Sequence, residues 1–472
     1  MEGLEASLVP KSNLEFSGRI DSEYYQKKFL KLEAEVQARK CVPMGEAADF
    51  LIGPFGSAFT VDNYTDVEDF RYIRGKDVKP LTLMDNDNVF MPETDYRRLE
   101  RYALREDDVM ISVVGTIGNA ALVTDKDLPA VFSCKSSVVR PDTLNPVFLT
   151  VYLNCRHGRN LTLRKERGAI QKGLNLDDLR DVLVFEPSQG FQRAVEKAFR
   201  AALALIEQSK GLQQRAEDKL LEALGLADWT PPEPLSYSAR ASDAFAAGRL
   251  DAQYFMPAKE QVRQSLATLP GQALGDRVDS IRDMFVPDRA PPDMQVRNYD
   301  VTDALVPLLD AEKEPQAAGE IGSIKKTFQD GDVAISRLRA YLKEVAVVRT
   351  GDAIPSVGSS EFIVLRPKAG QADISPETLM VFLRATPAQS ILKWCQDGSQ
   401  HPRFSEGDLL SIPVPDAVAG VSDQITTIVQ EGFAARHKAR QLLEAAKRAV
   451  EIAIEDGEDA AMAFLDDAEG AD

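Results

Sequence analysis

The chain has 472 residues, 44% of them hydrophobic and 28% charged, with a formal net charge of −18. This is the balance of a globular protein. No apolar run approaches the ~20 residues of a membrane helix, and the acidity argues against a simple nucleic-acid binder, which would be basic. The first eleven residues lack a basic-then-apolar signal pattern, and the four cysteines (Cys41, Cys134, Cys155 and Cys395) form no CxxC pair. Both features predict a cytoplasmic protein with reduced thiols.

In chain order, the octet GRIDSEYY (Gly18 to Tyr25) comes first. Ile52-Gly53-Pro54-Phe55-Gly56-Ser57 reads as a tight turn, and Phe70 to Val78 shows strand-like alternation. Asp108 to Val114 predicts a buried strand, joined by Gly115-Thr116-Ile117-Gly118-Asn119 to a second strand over Ala120 to Val123, a hairpin pattern. Val131 to Val139 reads as one further strand. A helix opens at Asn145-Pro146, and Phe191 to Leu226 is a long run of helix formers. Its apolar seam runs through Val195, Ala198, Ala202, Leu205, Ser209, Leu212, Ala216, Leu220 and Leu224, the spacing of a coiled coil.

The octet then returns as GRLDAQYF (Gly248 to Phe255), 230 positions on. A self-match at fixed offset is the signature of duplication. Val296 to Val301, Asp332 to Arg337, Val345 to Val348 and Phe362 to Leu365 repeat the strands, Ser375-Pro376 repeats the helix start, and Gln424 to Glu455 repeats the long helix. The second seam is Ile425, Ile428, Gly432, Ala435, Ala439, Leu442, Ala446, Ala449 and Ala453. Each helix would span about 45–55 Å, and chain symmetry favours antiparallel pairing. The predicted class is α/β (α+β): two tandem domains with mixed, mostly antiparallel sheets and two long helices in an antiparallel coiled coil. The predicted boundaries are a first domain over 1–187, a long helix over 188–226, a linker over 227–244, a second domain over 245–416, a long helix over 420–455 and a tail over 456–472. The tail carries eight acids from Glu455 to Asp472 and no base, which reads as a solvated, partly disordered end.

No catalytic constellation is nominated. Asn145-Pro146-Val147-Phe148 superficially matches the Asn-Pro-Pro-aromatic motif of amino-methylating methyltransferases. Its counterpart Ser375-Pro376 keeps only a capping residue before proline, so helix capping explains both. Gly115 to Gly118 is too short for a phosphate-binding fingerprint, and His157, His401 and His437 lie far apart with no ligand partners at metal spacing. Six bases, Arg156, Arg159, Arg164, Lys165, Arg167 and Lys172, sit close together against Glu166 alone, which suggests a local positive patch. Binding residues are therefore sought in loops that differ between the halves: Thr116, Lys165, Arg167, Gln171 and Lys172 in the first, and Arg337, Arg339, Lys343, Gln400, His401 and Arg403 in the second. Side chains of these types hold phosphates and read base edges.

The order of these motifs, given twice, resembles the specificity subunit of type I restriction–modification systems. The resemblance covers nearly the whole chain to about Ala453. It is carried by the two octets, Ile52 to Ser57, Asp107 to Ser112 with Gly115 to Gly118, Ser411-Ile412-Pro413-Val414-Pro415, and the helix after Gln424. It implies two target-recognition domains, each reading one half of a split double-stranded DNA sequence, held apart by the paired helices. It further implies docking of methyltransferase (M) and restriction (R) subunits, with catalysis and S-adenosylmethionine binding in the M subunit, hence no enzyme activity and no cofactor here. Arg337-Leu338-Arg339-Ala340-Tyr341 replaces the family's Gly-Thr-Ile-Gly turn in the second half. That departure and the acidic tail suit a restriction-like phage-defence system borrowing such a subunit. The alternatives are a protein-interaction scaffold that binds little DNA, and a nuclease or methyltransferase in its own right, for which no motif speaks.

Overall fold

Val109, Met110 and Ile111 show how the sheet is buried. On a strand, successive side chains point to opposite faces. Val109 and Ile111 enter one hydrophobic cluster with Phe148, Tyr152 and Val195, while Met110 enters another with Ile73, Phe132 and Val138. A strand covered on both faces reads as a continuous apolar run, which is why no polar alternation marks it. In the second half Val333 and Ile335 face the helical cluster and Ala334 the opposite one.

The computed structural model describes residues 6–12, 14, 18–168, 172–368, 370 and 373–470. The chain divides into two units, 1–205 with 437–472, and 206–436. The first unit contains β1 (Ala48–Ile52), β2 (Leu81–Thr82), β3 (Val109–Ser112), β4 (Ala120–Leu122) and β5 (Ser136–Pro141), ordered β1-β5-β3-β4-β2. The second contains β6 (Val278–Ile281), β7 (Leu308–Leu309), β8 (Val333–Ser336), β9 (Val345–Val348) and β10 (Phe362–Pro367), ordered β6-β10-β8-β9-β7. In both, the edge strand after the hairpin pairs in parallel and the other pairs are antiparallel. Even the register repeats: Val109 faces Val139 and Ser112 faces Ser136, as Val333 faces Leu365 and Ser336 faces Phe362.

Differences lie outside this common sheet. Val131 to Val139 is not one strand. Ala130–Phe132 pairs in parallel with Arg71–Ile73, and the chain turns at Ser133 to Lys135 before β5 joins the main sheet. The stretch supplies two ladders, Ala130–Phe132 buried throughout and β5 buried over its first four residues. Gly53 sits where an added Cβ would meet the Ser133 carbonyl oxygen at 2.5 Å, so the Gly-Pro turn is a close backbone approach to this switch point. The second unit builds a further five-stranded sheet from Met284–Phe285, Lys325–Thr327, Ser356–Gly358, Gln295–Tyr299 and Gln316–Ala317.

Two short helices follow each sheet: α1 (Pro146–Asn154) and α2 (Arg156–Arg164), then long helix α3 (Gln189–Ala223); and α4 (Pro376–Arg384) and α5 (Thr386–Cys395), then long helix α6 (Ser422–Glu455). Asn145 accepts from the Phe148 amide at 3.0 Å and Ser375 from the Thr378 amide at 3.0 Å. The Asn-Pro pair is thus a helix cap with proline at the first position.

The long helices exchange roles between the units. In the first unit α3 holds the start of α1, since Gln192 accepts from the Asn145 amide, and α6 holds the start of α2, since Glu451 accepts from the Arg156 amide. In the second, α6 holds α4 through Ser422 and the Ser375 amide, and α3 holds α5 through Glu217 and the Thr386 amide. The beginning of α3 therefore shares a core with the end of α6, and the end of α3 with its beginning, an antiparallel pairing. Val195, Ala198, Ala202, Ala216, Leu220, Ala439, Ala446, Ala449 and Ala453 of the predicted seams are buried, while Val429 rather than Ile428 takes the inner position near the start of α6. A Cβ added to Gly432 would meet Leu212 Cβ at 3.6 Å, ordinary van der Waals contact. Gly432→Ala is expected to stabilise the chain by up to about 1 kcal/mol through helix propensity. Gly432→Leu should cost about 1–3 kcal/mol by overpacking. Thermal unfolding of the two variants checks this pair of opposite signs.

The acidic tail differs from its expectation. It forms helix α7 (Glu458–Gly470), with Ala461 and Leu465 buried in the first unit's core. Ala461 and Leu465 lie one turn apart on one face, and their burial outweighs the tail's acidity. Glu458 accepts from the Ser188 amide and hydroxyl just before α3.

Candidate nucleic-acid interface

In each unit the loop between the two central strands meets the hairpin after the second short helix. Arg167 and Gly173 exchange both backbone hydrogen bonds at 2.9 Å, as the two ends of a hairpin do. Asp397 and Arg403 do the same at 2.8 and 2.9 Å, at positions 230 further on. Each hairpin then bridges to the strand loop, Gly173 to Val114 and Arg403 to Leu338. The predicted loops are therefore neighbours within each unit.

At the first tip, Gly115 and Gly118 take φ of +88° and +77°, where glycine costs least. Thr116 is exposed at its apex. Arg167 holds Asp178 through two hydrogen bonds of 2.6 and 2.8 Å, and Lys172 pairs with Glu166 at 2.7 Å. Lys165 turns inward: its side chain is 14% exposed, it lies 5.7 Å from the Tyr24 ring centroid, and burial holds its pKa below the ordinary lysine value. Gln171 lies outside the described residues. The remaining bases of the stretch are also engaged, Arg156 with Glu455, Arg159 with the Gly118 carbonyl and Asn119, and Arg164 with Glu33 and the Tyr24 carbonyl. The suggested positive patch is thus a set of charges each matched by an acid or a carbonyl, with Glu33 and Glu455 brought from distant parts of the chain and Glu166, Asp178 and Asp181 from nearby.

The second tip is built differently. Two arginines converge on Glu361, Arg337 at 2.8 Å and Arg403 through contacts of 2.8 and 3.1 Å. Arg403's hydrogen bonds, and after them Arg337's, outweigh desolvation and hold the Glu361 carboxyl at about 2. Arg339 and Lys343 adopt φ of +45° and +54°, a left-handed conformation that non-glycine residues rarely take. The Arg339 amide donates to the Pro402 carbonyl at 3.0 Å, and its guanidinium reaches His401 Nδ1 at 3.5 Å. Gln400 and His401 are exposed on the hairpin, as is Tyr341 on the facing loop. Beneath them the half-buried Arg384 donates to the carbonyls of Ala304, Leu305, Lys343 and Val345, and desolvation draws its pKa down to about 10. Glu344 is buried near Ser336, and burial raises its carboxyl pKa.

The structure thus gathers Arg337, Arg339, His401 and Arg403 in one cluster, with Gln400 beside it and Lys343 at its base. Sequence reasoning missed Glu361, Arg384 and Tyr24. Glu361 precedes β10 in an unremarkable loop, and nothing in its local sequence signals that two distant arginines share it. Because the folded Glu361 pKa is depressed from an ordinary value near 4.3, its ion pairs contribute stability above that pH, lost as pH falls toward about 2. Carboxyl-carbon NMR should show Glu361 titrating below every ordinary glutamate, and Arg403→Ala should move it upward.

Among the described residues no three His, Cys, Asp or Glu side chains cluster as metal ligands, and no helix is long and apolar enough to cross a membrane. No family model matches the chain, and no curated protein does. Among solved structures it is similar to the type I restriction–modification S subunit from M. genitalium, at 12% identity over 90% of this chain and 95% of that one, TM-score 0.34. It is likewise similar to the HsdS subunit from Thermoanaerobacter tengcongensis, at 16% identity over 91% and 96%, TM-score 0.27. A third similar chain comes from a structure of complex assembly and conformational transition of the type I R-M system, at 17% identity over 91% and 97%, TM-score 0.27. The chain resembles type I specificity subunits.

Proposed function

We propose that the chain is a non-catalytic DNA sequence-specificity subunit acting in the cytoplasm. Each unit reads one half of a split duplex target, and methyltransferase and restriction subunits dock on the chain to methylate host DNA and cut foreign DNA. One observation carries this reading. The units repeat sheet order, register and helix anchoring, yet their tips present Gly115-Thr116-Ile117-Gly118 in one and the Glu361-centred arginines in the other. A common frame with different tips suits a reader of two different half-sites.

The acids at the tips do not oppose this. Arg167, Lys172, Arg337 and Arg403 are all substantially exposed in their ion pairs. The exposed pair of Lys172 with Glu166 contributes little, so a phosphate can replace that carboxylate readily, whereas Asp178 behind Arg167 is buried and keeps a partner only while Arg167 stays with it. Pairing in the free state also limits indiscriminate binding.

The test is duplex affinity against salt for the chain co-purified with its methyltransferase partner. Replacing Arg167, Lys172 and Arg337 by alanine should flatten the log–log slope by about 2–3, near 0.9 per phosphate contact. An unchanged slope would favour the scaffold reading, in which the acidic surface serves assembly and the tips touch no DNA.

A further inference from the structure

We propose that Arg19 and Arg249 are positioning residues, each fastening the root of one reading hairpin so that its own half of the target, and only that half, is discriminated. This rests on the proposed function above and extends it to residues outside the tips.

The geometry is the same twice. Arg19 donates from Nη1 to the Lys165 carbonyl at 3.2 Å and from Nη2 to the Glu166 carbonyl at 3.0 Å. Arg249 donates from Nη1 to the Cys395 carbonyl and from Nη2 to the Gln396 carbonyl, both at 3.0 Å. Each guanidinium is fixed by the acid two residues on, Nε lying 2.7 Å from Asp21 and from Asp251. Each also lies against the octet's tyrosine, 4.7 Å from the Tyr24 centroid and 4.6 Å from that of Tyr254. All four acceptor carbonyls are separated by 230 positions between copies.

Their location gives the clamp its purpose. Lys165 and Glu166 follow α2, and Cys395 and Gln396 close α5. The last carbonyls of a helix have no intrahelical partner, and a basic side chain there satisfies them and complements the helix dipole. The next residue in each copy, Arg167 or Asp397, begins the hairpin that carries the tip residues. A planar guanidinium forked between two carbonyls and a carboxylate fixes orientation as well as distance. The hairpin root is therefore set by the octet, more than 140 residues earlier in sequence. This explains why GRxD-x-x-Tyr persists in both halves while the hairpins it holds diverge.

The test uses the full chain with its methyltransferase partner, a pool of randomised duplexes, and the variants Arg19→Gln, Arg249→Gln and Arg19→Lys. Sequencing of bound duplexes should show base preference in one half flattened about tenfold by Arg19→Gln and in the other half by Arg249→Gln. Lysine should not restore it, because an ammonium cannot span both carbonyls and Asp21. Amide exchange gives a reading that needs no DNA. Arg167 and Gly173 should exchange at least about tenfold faster in Arg19→Gln with Asp397 and Arg403 unchanged, and the reverse should hold for Arg249→Gln. Loss of preference in both halves together, or faster exchange with both preferences intact, would overturn the proposal. A wild-type complex that selects no sequence would sink the parent reading, and amide exchange would still decide whether the arginines hold the hairpins.

Discussion

Replacing Arg403 by alanine is expected to erase base preference at one position in one half of the target, leaving the other half untouched. Arg403 stands on the hairpin strand that bridges to Leu338, with its guanidinium presented beside Arg337. An arginine that reads a base bidentately contributes about 1–3 kcal/mol of discrimination, roughly 5- to 150-fold in relative affinity. The variant should fold, because Glu361 retains Arg337 and the hairpin's closing hydrogen bonds are backbone to backbone. Arg403→Lys keeps the charge and loses the fork, so it should preserve much of the affinity and lose the preference. Sequencing of bound randomised duplexes separates the two effects. Equal loss of preference in both halves would contradict one unit per half.

Asp332→Ala should be the most destabilising of the polar substitutions in the second unit. Asp332 is fully buried, binds Arg366 at 2.7 and 2.9 Å and accepts from the Gln329 amide. Removing it strands an arginine and an amide at once. Breaking a buried pair costs about 3–5 kcal/mol; Arg366 is 30% exposed, which places the expectation near 3 kcal/mol. For a unit of this size that lowers its melting temperature by about 6–12 °C. Asp108 with Arg140 is the same device in the first unit, so Asp108→Ala should lower the other transition by a comparable amount. Calorimetry of both variants checks the correspondence; a shift below about 2 °C in either would contradict it.

The duplication was legible because it is written in residues that build the frame. The octets, the buried strands and the Asn145 and Ser375 caps all require particular side chains for local reasons. The seams were legible from spacing alone. Pairing across the chain was not. The bases from Arg156 to Lys172 look like a patch in sequence, and only the fold brings Glu33, Asp178, Asp181 and Glu455 to them. The double switch within Val131 to Val139 went unmarked because Ser136 and Ser137 are as buried as the valines after them, so polarity did not show where one ladder ends and the next begins. The tail misled through its charge, which concealed the single apolar face of α7.

The central claim is that two units of one frame read two halves of one target. Mapping methylated adenines across the genome of cells co-expressing the chain with its methyltransferase partner tests it most directly. The account predicts a split motif of two short halves at a fixed gap. A continuous motif, or no motif despite a stable complex, would contradict it.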